Sequence, residues 1–393
     1  MNPVSETIDQ RLSAEVGRLS SKAIAVSREI HRNPELAFRE HQAASLLTTW
    51  LGDEGFAVER GIAGLETAFR AVRGSGEPRI AYLLEYDALP DLGHGCGHNL
   101  IAAGGAAAAI ALARTLDGPE SGTVHVIGTP AEEDGGGKII ELEAGVFDGL
   151  TAAMMFHPAD RTLPTRRALA CIDYKLTYHG VAAHAAKNPH DGVNALAAMI
   201  QFFVALDGLR QQLDPRARVH GIITKGGSAA NIIPDLTEAS FIVRHVTGQL
   251  TRELAAQAEN CARAAALATG ATCELRHSSP MYEERNDNPL LAERAGRYMA
   301  EAGLDVKDPS DDDGAGSSDI GNVSQRLPCI HPYVQIAPDG TPGHSIEMRE
   351  AAVSDAGHQA ALKAAVALAR VGADLLADGE FRDQVRAEFE MRT

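Results

Sequence analysis

The segment that most constrains this chain is Gly93-His94-Gly95-Cys96-Gly97-His98-Asn99. It follows an apolar run, Ile80-Ala81-Tyr82-Leu83-Leu84, and opens a long Ala-rich stretch. A buried strand, a glycine-rich turn and a helix in that order belong to α/β proteins, where functional groups gather beyond the carboxyl ends of the strands. Cys96 and His98 flank one glycine of the turn, and a thiolate beside an imidazole suits zinc and similar borderline ions. The competing structural reading is a buried cysteine next to a turn histidine. A dinucleotide-binding turn fails at its third element, because His98 stands where that motif requires glycine.

The rest of the chain carries the same rhythm. Amphipathic helices are expected at 6–31 and 40–54, broken at Asn33-Pro34. Strands are expected at 79–85, 122–128, 151–156 and 329–336, and helices at 99–115, 136–145, 287–302 and 350–375. This alternation predicts an α/β catalytic domain with a mixed sheet flanked by helices. Between its parts the order changes to βαββαβ, with strands at 170–178, 218–225, 236–246 and 271–278 and helices at 191–209 and 249–268. That order is a ferredoxin-like α+β arrangement. The expected division is therefore 1–170 with 285–393, and an inserted domain at 171–284.

Composition removes several classes of function. The chain has 393 residues, with 36 basic and 53 acidic side chains and a formal charge of −17. That field opposes phosphate backbones and anionic lipid, so neither a nucleic-acid nor a membrane partner is expected. Met1 to Glu29 holds no apolar signal-peptide core, and the stretch from Leu100 to Ala113 is too short and too Ala-rich for a bilayer span. Five scattered cysteines form no disulfide framework. Cytoplasmic residence is the resulting expectation.

Further metal-capable residues follow the other strands. Glu132-Glu133-Asp134 comes after 122–128, His157 after 151–156, and His344 after 329–336. Singly, each has an ordinary structural explanation: a helix-capping acidic loop, or a hydrogen-bonded histidine. Together, four segments deliver ligands to one sheet edge. Adjacent carboxylates can divide labour, and the preferred assignment is Glu133 as ligand with Glu132 as the base that takes a proton from water. Asp311-Asp312-Asp313-Gly314 reads as a solvated loop, and Ser317-Ser318-Asp319 as a helix cap.

These residues together resemble the co-catalytic metallohydrolases that include aminoacylases and carnosine-type dipeptidases. The likeness is strongest to the Cys-Gly-His branch with the aminobenzoyl-glutamate and β-alanyl-dipeptide hydrolases. It is carried by His31-Arg32-Asn33-Pro34-Glu35-Leu36, Glu85-Tyr86-Asp87-Ala88-Leu89-Pro90, Gly93 to Asn99 and Gly128-Thr129-Pro130-Ala131-Glu132-Glu133. His184-Ala185-Ala186, Asn231-Ile232-Ile233-Pro234 and Ser318 to Ser324 extend it over nearly the whole chain.

The resemblance implies a dinuclear site with Cys96, His98, Glu133, His157 and His344 around two divalent ions, zinc first and manganese second. It places Glu132 on the general base and His184 on a histidine of the inserted lid that contacts substrate near the reacting carbonyl. Asn231 and Arg244 fall on residues that hold a substrate carboxylate, and the inserted domain on a homodimer interface. The implied activity is hydrolysis of the amide bond in a dipeptide or N-acyl amino acid with a free carboxylate. An ammonia-releasing aminohydrolase and a non-catalytic protein retaining the fold are the alternatives. Asn99 departs from the aspartate that many relatives carry, which the resemblance connects to orientation of the ligand histidine.

Overall fold

The computed structural model describes residues 6–116, 121–310 and 316–392. Its contacts divide the chain into two compact units, Met1–Arg167 with Arg285–Thr393, and Ala168–Glu284. The aspartates of 311–313 lie outside the described residues.

The first unit begins with helices α1 (Glu6–Arg32) and α2 (His41–Asp53), followed by strands β1 (Ala57–Arg60), β2 (Phe69–Ser75) and β3 (Arg79–Leu84). Next come α3 (His98–Thr115), β4 (Gly122–Gly128), α4 (Gly137–Glu143), β5 (Ala152–Met154) and β6 (His157–Ala159). The second unit contributes β7 (Ala170–His179), α5 (Ala195–Arg210), β8 (Arg218–Lys225), β9 (Leu236–His245), α6 (Gly248–Thr269) and β10 (Thr272–His277). The chain then completes the first unit with α7 (Pro289–Glu301), α8 (Ile320–Ser324), β11 (Cys329–Ile330), β12 (Tyr333–Gln335), α9 (Ile346–Ala351), α10 (Asp355–Ala377) and α11 (Gly379–Arg392).

The main sheet has the order β1-β2-β4-β3-β5-β11 and is mixed. Strands β3, β4, β5 and β11 run parallel, while β2 pairs antiparallel with both β1 and β4. β3 is buried from Ile80 to Leu84, as a strand covered on both faces must be. Residues 57–60 and 69–75 carry no strand signal strong enough to be read in advance. β1 is largely exposed, and Arg70 and Arg73 interrupt the apolar pattern of β2.

Two expected strands are each divided. The stretch 329–336 splits at His331-Pro332 into β11, in the main sheet, and β12, which pairs with β6 in a separate two-stranded ribbon. Proline has no N–H to give a continuing ladder. The stretch 151–156 shortens to β5 and passes into β6, so His157 stands where the chain leaves one sheet for the other.

α3 is buried over almost its whole length and packs against α1 and α10. Its alanines and glycines let the neighbours approach: a Cβ at Gly104 would lie 2.8 Å from two ring atoms of Phe156. The second unit is a four-stranded antiparallel sheet, β10-β7-β9-β8, with α5 and α6 packed on it around Tyr174, Phe202 and Phe241. This is the split-βαβ arrangement, with antiparallel β9 between β7 and β8.

Because Phe156 precedes His157, crowding at Gly104 reaches the site as well as the core. Gly104→Val should cost about 1–3 kcal/mol by overpacking, lowering the denaturation midpoint. Metal content of the folded variant should fall with it, and unchanged values of both would contradict this packing.

Candidate metal centre

The turn before α3 is shaped by Gly97, which occupies the helix N-cap in the left-handed region at φ +78. A Cβ there would lie 2.9 Å from the Pro158 ring. Glycine therefore lets the Cys96–His98 turn close on the His157-Pro158 strand. The Glu132 turn is held from below. Ala131, at φ +60, donates its N–H to Glu40 Oε1 at 2.9 Å, and Thr67 Oγ1 donates to Glu40 Oε2 at 2.7 Å.

The described ligand atoms fall into overlapping groups, each within 4.8 Å: Cys96, His98 and His157; Cys96, Glu133 and His344; and His98, Glu132 and Glu133. Cys96 is common to the first two. A further group, Glu85, Glu132 and Asp319, lies fully buried beside them. All of these residues belong to the first unit.

His98 is completely buried, and its Nδ1 lies 2.9 Å from Asp87 Oδ1 and 3.0 Å from the Asp87 carbonyl. Its Nε2 has no hydrogen-bond partner among the described residues. Around that nitrogen stand Glu85 Oε2 at 3.5 Å, Glu133 Oε1 at 3.8 Å and Glu132 Oε2 at 3.9 Å. Glu133 Oε1 is likewise buried without a partner, while its Oε2 is 3.5 Å from His344 Nε2. His157 donates Nδ1–H to the Pro158 carbonyl at 2.6 Å, which leaves its Nε2 as the free lone pair.

The electrostatics follow from burial. It lowers His157 to about 4, so the ring is neutral and able to ligate. Burial opposes the imidazolium of His98, but Asp87 and Glu85 outweigh it and hold the ring well above its usual value. Burial and the neighbouring Glu133 push the Cys96 thiol up, and burial with Glu85 and Glu133 does the same to Glu132. Orphaned nitrogen and carboxylate atoms, with a thiol that ionises only beside positive charge, fit a centre built for cations.

Sequence reasoning missed the residues that brace this centre. Lys138 is completely buried and donates to Glu85 Oε1 at 2.6 Å and Asp319 Oδ1 at 2.7 Å. Asp319 also accepts the Lys138 backbone N–H at 3.0 Å. The expected cap at Ser317-Ser318-Asp319 is therefore corrected. Asp319 occupies the N-cap position of α8 but makes no capping hydrogen bond, because its carboxylate is committed to Lys138. The departure at Asn99 does not bear on the ligand histidine directly. Its amide joins Ser27 Oγ and the Ala352 carbonyl, each at 2.8 Å, while Asp87 orients His98. The one advance signal was the pair Glu85 and Asp87 at the end of a buried strand.

In the second unit, His184 is exposed and its Nδ1 accepts the N–H groups of Ala186 and Lys187, both at 3.2 Å. Asn231 adjoins it through the backbone, where its carbonyl accepts from Ala185 N–H at 3.0 Å. Arg244 lies on β9, between Cys171 and Arg218 of the neighbouring strands, with Nε buried and without a hydrogen-bond partner among the described residues.

Burial pushes the carboxyl of Glu40 up to about 7, against the hydrogen bond from Thr67. Between its ordinary value of 4.5 and about 7, the native state holds a proton that the unfolded chain has released. Stability therefore falls as pH rises through that window, by up to about 3 kcal/mol. Glu40→Gln, which can still accept from Ala131 N–H, should flatten this slope in denaturant titrations at pH 5 and pH 8. An unchanged slope would contradict it.

The chain is similar to known proteins over most of its length. Residues 171–269 match the family described as the M20 peptidase dimerisation domain. The chain is 39% identical over 402 residues to Xaa-Arg dipeptidase of Mus musculus, covering 98% of this chain and 93% of that protein. It is 34% identical over 296 residues to one of the polypeptides of the p-aminobenzoyl-glutamate hydrolase of Escherichia coli, covering 70% of this chain and 61% of that one. A solved dinuclear metal binding peptidase of Bacillus subtilis shares the fold at a TM-score of 0.63 and 21% identity, over 90% of this chain and 99% of that chain.

Proposed function

Because the chain belongs to the M20 peptidase family, a family of metal-dependent amide hydrolases, we propose that it cleaves dipeptides bearing a free C-terminal carboxylate, with C-terminal arginine as the first side chain to test. The observation that carries this reading is the paired cluster in which Cys96 joins His98 with His157 and also Glu133 with His344. Cys96, His98 and His157 would hold one ion, and Cys96, Glu133 and His344 the other. Sulfur and imidazole donors favour zinc, with manganese as the second candidate. When bound, the ions supply positive charge that acidifies water and polarises the amide carbonyl.

Glu132, buried among these ligands, takes the proton of the attacking water and passes it to the departing amine as the C–N bond breaks. His184, whose Nδ1 already accepts two backbone N–H groups, carries its proton on Nε2 and so is set to donate to the developing oxyanion. Arg244 pairs with the substrate carboxylate and Asn231 adds an amide donor. The charge of −17 supports a cationic leaving residue over a dianionic aminobenzoyl-glutamate, since it attracts the former and repels the latter.

The inserted unit is also the proposed dimer interface. β8 is an edge strand that exposes Ile222 and Ile223, a surface suited to pairing with a second copy. Five free thiols suit a reducing cytoplasm. Among the described residues, no helix is long and apolar enough to cross a membrane.

Glu132→Gln should lower kcat by about 10²–10⁴-fold while the metal content measured by mass spectrometry stays at the wild-type level. Retained turnover, or lost metal, would refute the assignment. Arg244→Ala should raise KM for free-carboxylate substrates by about 10–100-fold, the scale of one charge-assisted hydrogen bond. An equal loss on the carboxamide analogue would remove the anchor role.

A further inference from the structure

The first unit holds a cavity of about 340 Å³ that shares no lining residue with the metal-capable groups. Sites for small molecules begin at about 300 Å³. The walls carry four guanidinium groups, from Arg166, Arg167, Arg285 and Arg392, against one carboxylate among the described residues, that of Asp287. This concentration of positive charge stands in a chain whose formal charge is −17. Pro289, the first residue of α7, also lines the cavity, so the positive end of that helix adds to the same field.

Arg285 is held in place for a ligand. Its side chain is only 1% exposed. Nη1 donates to His331 Nδ1 at 2.7 Å and to the Tyr333 hydroxyl at 3.2 Å, which fixes the plane of the guanidinium. Nε stands 3.1 Å from Asp287 Oδ2 without a hydrogen bond, and the Thr165 hydroxyl already donates to that oxygen. Nη2 has no hydrogen-bond partner among the described residues. A buried charged donor left without an acceptor is costly. Arg166 and Arg285 both approach the Tyr333 ring, at 5.1 and 5.2 Å from its centre. Guanidiniums gathered on one ring repel each other, and an anion between them offsets that repulsion.

We propose that this cavity is an oxyanion site, taking a small molecule that carries a phosphate group or a pair of carboxylates. Guanidinium forks match the paired oxygens of either group. Arg167 is the last residue before the inserted unit and Arg285 the first after it, so a bound anion engages both crossings of the chain at once. The site is distinct from the proposed substrate anchor, because Arg244 belongs to the inserted unit and does not line the cavity.

The test is calorimetric titration of inorganic phosphate into the metal-loaded protein, at an ionic strength fixed with chloride. Wild type is compared with Arg285→Gln and with the double variant Arg167→Gln/Arg392→Gln, whose substituted side chains are both exposed. Wild type should bind a phosphate that each variant binds about 10-fold or more weakly, the scale of one lost charge-assisted hydrogen bond. Metal content by mass spectrometry should be equal in all three. An affinity that is also equal in all three puts the phosphate on the metal centre and overturns the proposal, as does a wild type that binds neither phosphate nor malonate. Malonate titrated in parallel separates the two sources. Tighter phosphate assigns a phosphorylated ligand, and tighter malonate a dicarboxylate. If Arg285→Gln does not fold, the double variant decides.

Discussion

Buried negative charge at the carboxyl end of the central strands is the constraint on which the rest of this structure depends. Glu85, Asp87, Glu132 and Asp319 are all buried there, with Glu133 at their margin. Removing such groups from water costs several kcal/mol each unless positive charge is brought to them. Lys138 answers for two of them, Glu85 and Asp319. Asp87 accepts from His98 Nδ1–H, which leaves the other ring nitrogen to face a cation. The remainder, with a thiol held above its usual range, calls for cations from outside the chain. The same electrostatic requirement explains the braces and the site.

Backbone geometry brings these groups close enough to share ions. Gly97 lets the Cys96–His98 turn pack on Pro158, and Ala131, strained at positive φ and pinned by Glu40, turns Glu132 and Glu133 inward. The passage of the chain from β5 to β6 sets His157 at the junction of two sheets. Small residues along α3 bring β3 and the Phe156 segment against it, so the ligand-bearing ends of the strands converge. Packing and chemistry are therefore not separable at this edge.

Much of this was legible in the sequence because polar residues interrupt strong apolar patterns there. Cys96, His98, Glu132, Glu133 and His157 each stand just beyond a buried run, and the structure brings them, with His344, into shared groups. The βαββαβ order of the inserted unit was equally plain from its alternating periods. The braces were not legible. Lys138 meets Glu85 across 53 positions and Asp319 across 181, and neither end of such a pairing carries a local pattern. Asp319 was read as a cap because its neighbours look like one, and the pairing with Lys138 outweighed that local preference. β1 and β2 were missed because exposed and charged positions hide their alternation, and the break at Pro332 because the apolar character runs through it.

The most direct test of the account is amino-acid release from an Xaa-Arg dipeptide by zinc- or manganese-loaded protein, beside the same protein stripped by chelator. The account predicts free arginine from the loaded protein, none from the stripped protein, and recovery when metal is returned. Ammonia without a released amino acid, or cleavage indifferent to the chelator, would contradict it.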